Sequence, residues 1–286
     1  MQNSTGLSND KSAKLYHSTE PDTAAIPYAG KNYLLDALPE YVQKRLLPNL
    51  ELVKLPRGMV LYEPGDTLKS VYFPTNCIIS MLYVMEDGAS AEISVVGNEG
   101  MLGAALFLGG ESTSSRAVVQ SAGQSYRMET KVFKTEFSRH TEMLLLLLRY
   151  TQALITQMAQ TVACNRHHTI DQQLCRWMLL SLDRSSSNHL VITQELIAHI
   201  LGVRRESITE SAGKLQKLNL ISYHRGHIVV LDRPGLEKLS CECYAVVKKE
   251  TDRLLPRKKL SEKNTIPRPA DTAKTDIIHA GRLIDR

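Results

Sequence analysis

The stretch LVITQELIAHILGVRRESITESAGKLQKLNLISYHRGHIVVLD, residues 190–232, holds the strongest pattern in the chain. Leu190-Val191-Ile192 reads as a short strand. Thr193 then supplies a side-chain oxygen for the free N–H groups of a helix start. Gln194 and Glu195 occupy the first turn, where negative charge suits the helix dipole. Leu196, Ile197 and Ile200 recur at helical spacing and are expected to face inward. Leu201-Gly202-Val203 breaks the pattern with a residue that tolerates positive φ. A second helix is expected from about Arg204 to Leu218, with Ile208, Ala212, Leu215 and Leu218 on its buried face. Two short helices about a glycine-containing turn make a helix-turn-helix. Leu220 to Tyr223 and Ile228 to Leu231 follow as apolar strands around His224-Arg225-Gly226-His227, a hairpin with a basic tip, or wing.

The outer face of the second helix carries Arg204, Arg205, Glu206, Ser207, Thr209, Glu210, Lys214 and Lys217. Such a helix fits the major groove with its N-terminal turn toward the bases. Arginine can bond guanine O6 and N7 together, and glutamate can accept from cytosine N4. Ser207, Thr209 and Lys214 are expected at phosphates, which set register, and His224 and Arg225 of the wing at the backbone or an adjacent groove.

Upstream, residues 52–126 alternate short apolar segments such as Val71-Tyr72-Phe73 and Ile78 to Val84 with turn signals such as Pro64-Gly65-Asp66 and Asp87-Gly88. That rhythm predicts an antiparallel sandwich or jelly roll. Asn32 to Leu50 reads as helix. From Lys131 the period becomes helical, with a short helix over 132–139 and a long one over about 141–167. In the long helix Leu148, Thr151, Ile155, Met158 and Val162 recur at 3-4-3-4 spacing, a seam suited to pairing with its copy. An ordinary core helix is the alternative. Leu144, Leu147 and Leu154 are expected to pack on the sandwich. Thr169 and Gln172 match a capping box, and Trp177 reads as a core anchor.

The composition is that of a folded protein: 286 residues, 43% hydrophobic, formal net charge +5. The five scattered cysteines suggest no disulfide framework, and no apolar run is long enough to span a bilayer. No membrane partner and a cytoplasmic location are therefore expected. Cys241 and Cys243 form the closest cysteine pair, but the sequence shows no partners for them, so the expectation is a structural role and no metal. His167-His168 is read as favourable charge at the end of the long helix. No catalytic fingerprint occurs, so no enzyme is expected.

In this order the residues resemble the cyclic AMP receptor protein / fumarate-nitrate reduction regulator superfamily (Crp/Fnr), over roughly Leu52 to Leu255. The resemblance is strongest at Ile192-Thr193-Gln194-Glu195-Leu196, Leu201-Gly202-Val203, Arg205-Glu206-Ser207-Ile208 and Leu218-Asn219-Leu220-Ile221-Ser222. It also extends to Tyr62-Glu63-Pro64-Gly65-Asp66 and Gly100-Met101-Leu102-Gly103. It implies an α+β fold with an N-terminal antiparallel β-roll, a cyclic-nucleotide-binding-like jelly roll. A long dimerisation helix and a C-terminal winged helix-turn-helix follow. The expected divisions are a disordered arm (1–30), β-roll sensor domain (31–140), dimerisation helix (141–168), DNA-binding domain (169–250) and disordered tail (251–286). The implied function is that of a homodimeric, sequence-specific transcription regulator, with double-stranded DNA and RNA polymerase as partners. Arg205 and Glu206 would contact bases, and Ser207 a phosphate.

Two departures from the family pattern stand out. Relatives that bind cyclic nucleotide place Glu after the cassette glycine and Arg-Ser/Thr-Ala about ten residues later. Here Ala104 follows Gly103, and Ser115-Arg116-Ala117 is offset. The resemblance thus argues against cyclic AMP; no cofactor is expected, the effector stays open, and Arg116 is the one weak anion-binding candidate. Glu210 stands where many members carry a guanine-reading Arg, so a different half-site is expected. No cysteine precedes Cys77, which removes the N-terminal iron–sulfur sensor. The alternative is a cyclic-nucleotide or other small-molecule-binding module with weak or vestigial DNA binding.

Overall fold

The computed structural model describes residues 31–185 and 187–255. The expected disordered arm, and the tail beyond 255, lie outside them. The expected helix over 32–50 is broken into α1 (Tyr33–Asp36), α2 (Glu40–Leu46) and a 3-10 turn (Leu47–Asn49). Pro39 sits at the N-cap of α2 and Pro48 in the 3-10 turn. Each lacks the N–H that a continuous helix needs.

Seven strands form the β-roll: β1 (Glu51–Leu55), β2 (Val60–Tyr62), β3 (Ser70–Pro74), β4 (Ile78–Val84), β5 (Ser90–Val96), β6 (Arg116–Ser121) and β7 (Gly123–Glu129). They make two antiparallel sheets ordered β1-β7-β3 and β2-β6-β4-β5. Tyr62, Leu68, Val71, Phe73, Leu102, Ala117, Val119 and Tyr126 fill the core.

Helix α3 (Thr130–Arg139) closes the roll, and the 27-residue α4 (Thr141–His167) runs out from it. Met143, Leu147, Tyr150 and Leu154 of α4 are buried in the roll's core. Each such burial is worth ~1.5–3 kcal/mol. Tyr150 also donates its hydroxyl to Met101 O at 2.6 Å, and the Gln157 amide grips the backbone N–H and C=O of Val95 at 2.8 and 3.3 Å. Leu144, expected on this packed face, is instead partly exposed.

The C-terminal body comprises α5 (Ile170–Leu182), β8 (His189–Val191), α6 (Gln194–Leu201), α7 (Arg205–Lys217), β9 (Ile221–His224), β10 (His227–Val230), α8 (Arg233–Leu239) and α9 (Glu242–Leu254). The capping box at Thr169 and Gln172 is formed, and Trp177 is buried in this second core. Two differences from the sequence expectation occur. Leu218 is exposed, because α7 stops at Lys217 and Leu218 caps it outside the core. Residues 251–254 continue α9 rather than starting a tail, and the buried Leu254 and Leu255 join the roll's core.

The two bodies are bolted together by polar contacts. Arg184 Nε meets Glu99 Oε1 at 2.7 Å with the arginine buried and the glutamate mostly so, Gln120 Nε2 donates to Ser181 Oγ at 3.2 Å, and Arg57 Nη1 reaches Val191 O at 3.0 Å. A small cavity at this junction is lined by Glu92, Gln157, Arg176, Trp177 and Leu201 among others. The Glu92 carboxyl oxygen Oε2 is buried there without a hydrogen-bond partner among the described residues. Burial pushes the Glu92 carboxyl up to about 7, and Ser80, Arg176 and Arg184 only partly offset this.

A carboxyl raised in the folded state stabilises below its unfolded value and loses that contribution as pH rises through its folded value. Stability is therefore expected to fall by up to ~1.4 kcal/mol per pH unit between the ordinary carboxylate range and about pH 7, then flatten. Denaturant titrations across that range check this. Glu92→Gln should remove the slope and stabilise the protein above pH 7; an unchanged slope would assign it elsewhere.

Candidate nucleic-acid interface

Helices α6 and α7 are set by local chemistry. The Thr193 hydroxyl accepts from Leu196 N, capping α6. Gly202 ends it at φ +66°, a conformation that costs an L side chain ~1–2 kcal/mol. Ile208, Ser211, Ala212 and Leu215 are the buried face of α7 and pin it on α5 and α6. Asp171, in the first turn of α5, accepts from the Ser211 hydroxyl and so fixes the roll of α7 about its axis.

The opposite face is open. Arg204, Arg205, Glu206, Thr209, Glu210 and Lys214 are all exposed, and Ser207 is half-buried. Arg205 and Glu206, at the N-terminal turn, project from the helix end that enters a groove first. Arg205 is only loosely held, with Nε 3.9 Å from Glu195 Oε2 and its side chain 63% exposed, so it can turn to a base edge at small cost.

Three expected phosphate or base contacts have partners within the chain. Thr209 donates to Gln194 Oε1 at 2.8 Å. Lys214 Nζ lies 3.0 Å from Glu210 Oε1 and 3.5 Å from Asp171 Oδ2, which raises its pKa through the bond to Glu210 first. Glu210 is thereby turned along its own helix by the i,i+4 pairing. Gln194 and Glu195 escaped the sequence reading as parts of this face. Their place in the first turn of α6 was legible, but their approach to Thr209 and Arg205 depends on how the two helices cross.

The wing is a three-stranded antiparallel sheet ordered β8-β10-β9. Its tip is the two-residue turn Arg225-Gly226, with both φ values positive (+46° and +81°). Such turns match the twist of a hairpin. His224 and Arg225 are exposed at this tip. Next to this tip the rings of His189 and His227 stack, with centroids 5.1 Å apart.

Arg116, the weak anion candidate, is committed elsewhere. Its Nε lies 2.7 Å from Glu63 Oε2, because pairing of Tyr62 with Ala117 places the two charges side by side. Gly103 takes φ +113° against Val71, and Ala104 follows it into a 3-10 turn.

The expectation that Cys241 and Cys243 lack partners needs correction. Cys164 and His168, at the end of α4, complete with them a group whose donor atoms lie within 4.8 Å of one another. Only folding brings α4 and α9 together, so no local spacing signals it.

Among the described residues no helix is long and apolar enough to cross a membrane. Residues 172–239 match the model of the Crp-like helix-turn-helix domain, and residues 52–140 that of the cyclic nucleotide-binding domain. The global nitrogen regulator of Synechococcus elongatus is 21% identical over 220 residues, covering 73% of this chain and 98% of that protein. The same fold occurs in FixK2 from Bradyrhizobium japonicum (TM-score 0.56, 12% identity, 67% of this chain and 98% of that one). It occurs also in a CRP-family transcriptional regulator from Thermus thermophilus (TM-score 0.56, 17% identity, 66% and 96%). With a β-roll of the cyclic nucleotide-binding type, a long connecting helix and an exposed winged helix-turn-helix in that order, the chain belongs to the Crp/Fnr family of DNA-binding transcription regulators.

Proposed function

We propose that this regulator acts as a cytoplasmic homodimer that inserts two copies of α7 into successive major-groove faces of a two-fold-related site. The observation that carries the base-reading part is the open N-terminal turn of α7 with a loosely tethered Arg205 beside Glu206. In this reading Arg205 bonds a guanine and Glu206 a cytosine, Arg204 and Ser207 hold phosphates, and His224 and Arg225 of the wing touch the backbone. Thr209, Glu210 and Lys214 play a supporting part, because their in-chain partners hold them in fixed positions.

Dimerisation rests on the second face of α4. Leu148, Ile155 and Val162 follow one another at heptad spacing and are about half or more exposed, with Thr151 and Met158 half-buried between them. An exposed apolar heptad seam is stabilised by burial against its own copy. For the signal, Ala104 in place of an acidic ribose acceptor and the Arg116–Glu63 ion pair both favour an effector other than cyclic AMP. RNA polymerase is the expected further partner, and a regulatory rather than enzymatic role suits this architecture.

Arg205→Ala is expected to weaken specific binding by about 1–3 kcal/mol and to relax preference at one base pair per half-site. Arg225→Ala should weaken all sequences alike and lower the salt slope by about 0.9 per lost phosphate contact. Quantitative gel shifts on a selected site, at several salt concentrations, separate the two. Equal loss on specific and random DNA for Arg205→Ala would refute its base contact. Ile155→Glu is expected to yield monomers in sedimentation equilibrium with the fold intact by circular dichroism; an unchanged mass would remove α4 as the seam.

A further inference from the structure

Four side chains at the junction of the long helix and the DNA-binding body have no part in the function above. Cys164 and His168 lie one helical turn apart at the end of α4, so both point to one side. Cys241 and Cys243 stand at the N-cap and second position of α9. Cys164 Sγ is 3.5 Å from Cys241 Sγ, and Cys243 Sγ is 3.6 Å from His168 Nδ1. All four donor atoms lie within 4.8 Å of one another. Around a tetrahedral zinc ion, with Zn–S about 2.3 Å and Zn–N about 2.0 Å, sulfur–sulfur edges are about 3.8 Å and sulfur–nitrogen edges about 3.5 Å. Two edges are thus already close to ligand spacing and the others lie within 4.8 Å, a grouping compact enough for a single ion.

We propose that Cys164, His168, Cys241 and Cys243 form a Cys3His site for one zinc ion, stapling the end of α4 to the start of α9.

The surroundings suit such a centre in three ways. His168 Nε2 faces Glu242 Oε2 at 3.4 Å, leaving Nδ1 toward the thiols; a carboxylate on the distal nitrogen of a metal-binding histidine fixes its tautomer and ring orientation. Cys241 and Cys243 sit at the N-terminal end of the 13-residue α9, whose dipole suits the negative charge of a metal-bound sulfur. Three thiolates and one Zn2+ leave one negative charge, and the buried Arg176 supplies the opposite sign. Burial is the largest influence on the Cys164 and Cys243 thiols and raises both, while Arg176 acts on each in the opposite sense; among the described residues its Nε has no hydrogen-bond partner.

The position carries the consequence. His168 is the C-cap of α4 and the residue before the Thr169 cap of α5, so it sits at the hinge between the roll and the DNA-binding body. Helix α9 packs Tyr244 and Val247 into one core and Leu254 into the other. A bound ion fixes α9 against α4 and with it the pose of α7.

The test uses the full chain, purified under reducing conditions without chelator. Elemental analysis is expected to find one zinc per chain. Exchange for Co2+ should give the ligand-field bands of a tetrahedral ion and thiolate-to-cobalt charge-transfer bands. Cys164→Ser and Cys241→Ser should lose the ion, His168→Ala should weaken it and His168→Cys restore it, whereas Cys77→Ala and Cys175→Ala should retain it. Stripping zinc from the wild type should lower its Tm, which keeps the test independent of whether the variants fold. A folded wild type without zinc that gives no Co2+ spectrum would overturn the proposal. So would iron with labile sulfide, or a Cys164–Cys241 disulfide in the protein as isolated.

Discussion

The two-sidedness of α4 is the constraint on which the rest of the molecule depends. One face is sealed into the β-roll by Met143, Leu147, Tyr150 and Leu154, and the next carries Leu148, Ile155 and Val162 to the surface. A single helix of 27 residues therefore belongs to the roll's core on one face and leaves an apolar strip exposed on another. Any rearrangement of the roll that moves β5 moves Gln157, and through it the helix, because that side chain holds both backbone groups of Val95.

The roll meets the DNA-binding body alongside this helix. Charges concentrate there: the mostly buried Arg184–Glu99 pair, the Glu92 carboxyl and Arg176. A buried pair is sensitive to geometry, since losing one partner leaves the other desolvated. Such a junction has a preferred pose and a cost for leaving it. The cysteine–histidine group lies at the same junction and acts on the same joint, from the side of α9.

Periodicity and caps made much of this legible beforehand. The helix-turn-helix was readable because Thr193, Gly202 and the apolar residues of α6 and α7 act within a few residues of one another. Strand β4 was readable from its unbroken run of apolar and small residues. The reading failed where a local pattern met a breaker, as at Pro39, or ran past a helix end, as at Leu218. It was silent on α8 and α9, whose burial depends on surfaces that other segments provide.

The amino-acid sequence by itself determined the order of elements, the open basic turn of α7 and the heptad seam of α4, because these follow from side-chain spacing along one segment. Tertiary structure alone decided which charges are free. It paired Arg116 with Glu63 and Lys214 with Asp171, and it left Arg205 only loosely held. It also set Cys164 beside Cys241 across 77 residues of chain. The physical reason is that contacts between segments are chosen by how whole cores pack, which no short window of residues contains.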